Sequence, residues 1–223
     1  MKKNFVLFVL FVLPLAAYLF FASGVNSFAK LPILTKNIPE ISSWKSYTST
    51  PIQLENKITI LGFTGENINN RKGYFFNLYE KIYKKDEQFK DFQVVFIAPA
   101  GTEQKIDALM IDLKKLGSLV GWKFVFATPD QINQFHSKMN LAGNLDQDLG
   151  SRMVYIIDKK RNLRGRKGKS VKGDVEYREG YNTSLVSELH NEMTDDVKVI
   201  LAEYRLALKI NHNASKKLEY REK

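Results

Sequence analysis

Ile58-Thr-Ile-Leu-Gly-Phe63 is a short apolar run, and the rhythm that follows it decides the fold. Without helical spacing, these residues read as a strand. Phe75, Leu78, Tyr79 and Ile82 then recur three and four apart, which is a helical stripe. Phe92-Gln-Val-Val-Phe-Ile-Ala98 is a second strand. Thr102 can cap a helix whose face is Ile106, Leu109, Met110, Leu113 and Leu116, with Gly117 placed to stop it. Trp122-Lys-Phe-Val-Phe-Ala127 is a third strand. In Thr128-Pro129-Asp130-Gln131 the hydroxyl caps a helix, Pro fits its first turn and Gln131 completes a capping box. Ile132, Phe135 and Met139 continue its face, Met153-Val-Tyr-Ile-Ile157 is a fourth strand, and Val175-Glu-Tyr177 is read as a fifth. A long amphipathic helix is expected from about Ser184 to Ile210, through Leu185, Leu189, Met193, Val197, Ile200, Tyr204 and Leu208.

Short apolar strands alternating with helices imply parallel strands covered on both faces. The last two strands follow each other directly, so the sheet should end in an antiparallel pair. The order β-α-β-α-β-α-β-β-α is that of a thioredoxin-like mixed α/β sheet.

Working towards the N-terminus, residues 30–51 contain Pro32, Pro39, Ser and Thr and read as a stalk. Before them, Phe5 to Ala22 has only Pro14 outside the apolar set, and no charge falls between Lys3 and Lys30. About 20 helical residues cross a bilayer core, so residues 1–29 read as a signal anchor, a transmembrane helix. A cleaved signal peptide is the competing reading, since Ala22-Ser23-Gly24 and Ser27-Phe28-Ala29 offer cleavage sites. Lys2 and Lys3 stay in the cytoplasm by the positive-inside rule, which puts the domain on the extracytoplasmic, periplasmic side of a cell inner membrane. Residues 52–211 form the domain, and 212–223 a charged tail.

The 223 residues carry a net charge of +10 and no cysteine. Thiol nucleophiles, disulfides and cysteine metal sites are therefore excluded. No Ser-His-Asp order, HExxH, P-loop or GxGxxG supports an enzyme. His136 with Met139, and His190 with Met193, offer soft ligand types, but both methionines lie on apolar stripes and read as core. Catalytic, cofactor and metal residues are accordingly expected to be absent.

An anchor, a stalk and then Leu61-Gly-Phe-Thr64, with Tyr155-Ile-Ile-Asp158 followed by Leu163-Arg-Gly165, resemble the Sco/SenC copper-chaperone family over roughly Ile52 to Ile210. That family carries its chemistry on a C-x-x-x-C motif after the Gly-Phe-Thr strand and on a distal His before the later one. The resemblance places Glu66 and Asn70 at the cysteine positions and Gly150 at the histidine, so the motif is degenerate and the copper and dithiol functions are not implied here. What it does imply is a pseudo-chaperone: a non-enzymatic accessory or assembly factor, with a haem-copper respiratory oxidase as the implied client. Glu66 with Asp146 or Asp148 could form a carboxylate pair in the same corner; a polar turn is the plainer reading.

Lys159, Lys160, Arg161, Arg164, Arg166, Lys167, Lys169 and Lys172 place eight cations in fourteen residues. With Gly165, Gly168 and Gly173 among them, they read as a mobile loop between the last two strands. The topology argues against nucleic acid. Anionic lipid or an acidic protein partner would suit such a loop, and so would solvation alone.

Overall fold

The computed structural model describes residues 2–23, 30–169, 173 and 175–205. Helix α1 (Lys2–Ser23) precedes the domain. The domain is built on β3 (Ile58–Thr64), β4 (Phe92–Pro99), β5 (Trp122–Ala127) and β6 (Gly150–Ile157). β3, β4 and β5 run parallel, whereas β6 lies antiparallel against β3. Beyond β6 comes the antiparallel β7 (Leu163–Arg164).

Alternation along these strands builds two cores, one on each face. Ile58, Ile60, Val94, Phe96, Phe124, Val154 and Ile156 face one way, under two helices and the C-terminal helix. The first of those is α2 (Lys72–Leu78), continued by a π-helical turn (Tyr79–Tyr83) into α3 (Lys84–Asp86); the second is α4 (Glu103–Lys114). Leu61, Phe63, Val95, Ile97, Val125, Tyr155 and Ile157 face the other way, towards α5 (Pro129–Lys138). At the start of α5, Thr128 and Gln131 form the expected capping box. Thr102 makes no side-chain cap on α4; its hydroxyl donates to the Pro99 carbonyl instead.

The stalk assigned to 30–51 is corrected. Leu31, Ile38 and Ile41 are buried core residues, as are Ile52 and Leu54 just beyond. β1 (Ile33–Thr35) pairs with β7 at one edge of the sheet, and β2 (Lys45–Ser46) pairs with β5 at the other. The segment is a belt: Ile38, Ile41, Ile52 and Leu54 cover the face α5 leaves open, while Leu31 packs in the other core. Its strands are too short to show a period of two, which is why proline and serine dominated the reading.

The final antiparallel pair also differs. β6 meets β7, and Val175–Arg178 instead forms β9, paired with β8 (Arg166–Lys169) in a separate two-stranded sheet. β10 (Tyr181–Asn182) returns to β6. α6 (Val186–Glu188) leads through a π-helical turn (Leu189–Met193) into helix over 194–205. The expected end of this helix at 206–210 and the charged tail at 212–223 lie outside the described residues.

Among the described residues no helix is long and apolar enough to cross a membrane; within α1 the described side chains are Phe5, 8–16 and Tyr18.

Candidate functional site

β3 ends at Thr64, directly across from Gly150 at the start of β6. After β3 the chain turns through Gly65 and Glu66 into a 3-10 turn (Ile68–Arg71), which hands over to α2. That turn aims the Arg71 guanidinium back into the corner between the two strands. Its Nη2 donates to Asp148 at 2.9 Å and to Asp146 at 2.8 Å, while Nη1 donates to Asp148 and to the Thr64 carbonyl. Backbone N–H groups of Asn67 and Gly150 also donate to the Asp148 carboxylate. Arg71, Asp148, Glu66, Asn70, Tyr74, Asp146 and Arg152 line a cleft of about 630 Å³.

This donor set does not fit a cuprous ion. The lining offers no thiolate and no imidazole, and soft copper favours both. A Cβ at Gly150 would lie 2.6–2.9 Å from the Arg71 guanidinium atoms, so a ring projecting from that position would collide with it. The two carboxylates that could hold a harder cation there are already engaged by the Arg71 guanidinium.

The carboxylate pair that Glu66 could have made with Asp146 or Asp148 is replaced by an ion-pair cluster. Asp146 and Asp148 do meet in the corner, but both turn to Arg71. Glu66 and Asn70 are exposed, and the Glu66 carbonyl accepts from Lys105 at 2.9 Å. Arg71 has no local signal in the sequence, because its partner is 77 residues away. His136 is half-buried against the Phe63 ring, and burial holds its pKa below the ordinary value. Met139 is core, as is Met193, whereas His190 is exposed.

The Arg71 hydrogen bond, aided by the Asn67 and Gly150 N–H groups, pulls the Asp148 pKa from 3.8 down to about 2. A carboxylate whose pKa falls on folding adds stability that is complete above the unfolded pKa and lost as pH drops towards the folded one. Between pH 4 and 2 the native protein should therefore lose about 1–2 kcal/mol that Asp148→Asn never had, allowing for solvent on the open side of the cleft. Urea unfolding of both proteins across that range measures the difference. Parallel stability curves would contradict the role given to Asp148.

The cation run is divided by the fold rather than gathered in one mobile loop. Arg164 is buried between Asp158 at 2.9 Å and Glu203 at 2.6 Å. Arg166 pairs with Asp196 and Glu176, and Lys159 with Asp91. Arg161 sits in the tight β6–β7 turn with φ of 57° and donates to the Ile38 carbonyl. Lys160, Lys167 and Lys169 are exposed, and Lys172 lies outside the described residues. Long side chains near acidic helix residues found partners, and run-counting does not see such partners.

No family model matches the chain, and no curated protein matches it. Among solved structures it is similar to BsSco, a member of the Sco family of cytochrome c oxidase assembly proteins, with a TM-score of 0.50 and 10% identity. That match covers 74% of this chain and 99% of the other. It is also similar to a candidate electron transfer protein from Aquifex aeolicus VF5, with a TM-score of 0.51 and 16% identity over 75% of this chain and 94% of that one. Identities this low speak for the fold alone. The four central strands, their helices and the corner between Thr64 and Gly150 together make this a thioredoxin-like fold of the kind seen in Sco proteins.

Proposed function

We propose that the protein is a membrane-anchored, extracytoplasmic accessory factor that uses a Sco-like domain as a binding scaffold and not as a copper or dithiol carrier. The observation that carries this reading is the Arg71–Asp148–Asp146 cluster, which fills the corner where a Sco-type site would stand. A chain without cysteine has no nucleophile for thiol–disulfide exchange. Cytochrome c oxidase assembly is the role named for BsSco, and a haem-copper respiratory oxidase is the client proposed here by that likeness. The anchor is proposed from the sequence, in which Phe5 to Ala22 is apolar but for Pro14 and no charge falls between Lys3 and Lys30.

Two measurements test the reading. Full-length protein loaded with cuprous ion under a competing chelator should retain far less than one copper per chain, and stoichiometric retention overturns it. Affinity purification from detergent-solubilised membranes should recover a membrane-protein client, oxidase subunits if the proposed client is correct. Recovery in the soluble fraction, after carbonate extraction or as a form lacking residues 1–29, overturns the anchor.

A second reading, a module docking basic residues on anionic lipid or an acidic partner, is favoured by the exposure of Lys160, Lys167 and Lys169.

A further inference from the structure

The β8–β9 hairpin stands apart from the main sheet, and its two faces differ sharply. Arg166, Glu176 and Arg178 point inward. Arg166 reaches Asp196 at 2.8 Å, and Arg178 reaches Glu188 at 2.6 Å and Glu192 at 2.7 Å, which fastens the hairpin to the C-terminal helix. Tyr181 adds a buried hydrogen bond to Asp196. The register sets Lys167 opposite Tyr177 and Lys169 opposite Val175, so these four side chains share the outward face. Val175 is 87% exposed and Tyr177 54%, and both lysines are exposed. The Tyr177 hydroxyl donates to Glu179, whose carboxylate also accepts from the N–H groups of Ala142 and Gly143.

An apolar residue, an aromatic and two lysines on one face match a bilayer interface with anionic headgroups. The fold puts that face close to where the chain enters the domain. Gly165, at the root of the hairpin, donates its N–H to the Pro32 carbonyl at 3.1 Å, and Arg164 Nε donates to the Leu31 carbonyl at 2.8 Å. The close approach requires glycine, because a Cβ at Gly165 would lie 2.2 Å from the Arg178 carbonyl oxygen. Only residues 24–30 separate α1 from this root, a reach of at most about 25 Å.

We propose that the outward face of the hairpin docks on an anionic lipid surface and fixes the orientation of the domain on the membrane. The proposal rests on the anchor reading above. Given the anchor, docking is intramolecular, so a weak face is sufficient because the tether supplies a high effective concentration. The short tether keeps the hairpin root within reach of the bilayer, which favours lipid over an acidic protein.

The absence of native cysteine permits single labels in the full-length protein. Nitroxide would be attached after Val175→Cys, and in a second sample after Leu10→Cys, each in bilayers of phosphatidylcholine with or without phosphatidylglycerol. Accessibility to membrane-dissolved oxygen against an aqueous nickel chelate is then read. The Val175 label should move into the interface only with phosphatidylglycerol, and return to water in high salt or on adding Lys167→Gln and Lys169→Gln. Each lysine should account for about a fivefold weakening of docking at low salt. A Val175 label in water at both compositions, with the Leu10 label in lipid, overturns the docking alone and leaves the face to a protein partner. A Leu10 label in water overturns the anchor, and the tethered docking with it.

Discussion

Arg164→Met should destabilise the domain by about 3 kcal/mol, because it leaves a buried carboxylate without its counter-charge. Arg164 is 4% exposed and Asp158 1%. Asp158 keeps the N–H groups of Lys160 and Asn162 and the Asn162 amide, so part of its charge stays compensated. The same substitution frees Glu203 and the Leu31 carbonyl, and so loosens the belt and the C-terminal helix together. Urea unfolding should show a lower midpoint at unchanged slope. Adding Asp158→Asn should recover part of the loss, since the uncompensated charge goes with it. A single substitution that unfolds at the parental midpoint would deny this cluster its structural role.

Rebuilding a thiolate and imidazole site should succeed only when Arg71 is also removed. Glu66→Cys and Asn70→Cys fall on exposed positions around the 3-10 turn, and neither disturbs the core. Gly150→His meets the guanidinium at 2.6–2.9 Å, and Gly150 is not held at positive φ, so space rather than backbone is the obstacle. With Arg71 retained, the triple variant should hold cuprous ion on the order of a hundredfold more weakly than the variant that also carries Arg71→Ala, given a unit charge within a few ångströms of the metal. Copper retained against a chelator series measures both. Equal affinity would show that Arg71 simply swings aside.

The central sheet was legible because its strands are long and apolar enough to carry a pattern. Ile58–Thr64, Phe92–Pro99 and Trp122–Ala127 all appear within a residue or so of their reading, and the Thr128–Gln131 capping box closes as written. The belt at 31–54 was hidden, since a strand of two or three residues has no period, and its buried isoleucines are spaced by turns. The site was legible only as a location. Glu66 and Gly150 marked the corner by resemblance, but the residue that fills it, Arg71, is bound to partners far along the chain. Likewise, eight cations in fourteen residues could not announce that Arg164 is buried and that Arg166 is clasped by Asp196.

The belt has a consequence for how the chain acquires its shape. Its two short strands close both sides of the sheet, yet their partners arrive late: Leu31 meets Arg164 133 residues downstream. During synthesis the N-terminal end emerges first, so residues 31–54 must wait, with Ile38, Ile41, Ile52 and Leu54 uncovered, until β5, β6 and β7 follow. Long sequence separations of this kind slow folding and prolong exposure of sticky intermediates. A nascent chain stalled before residue 164 should therefore remain a chaperone client and a protease substrate, and its release should coincide with the emergence of the Asp158–Arg164 turn.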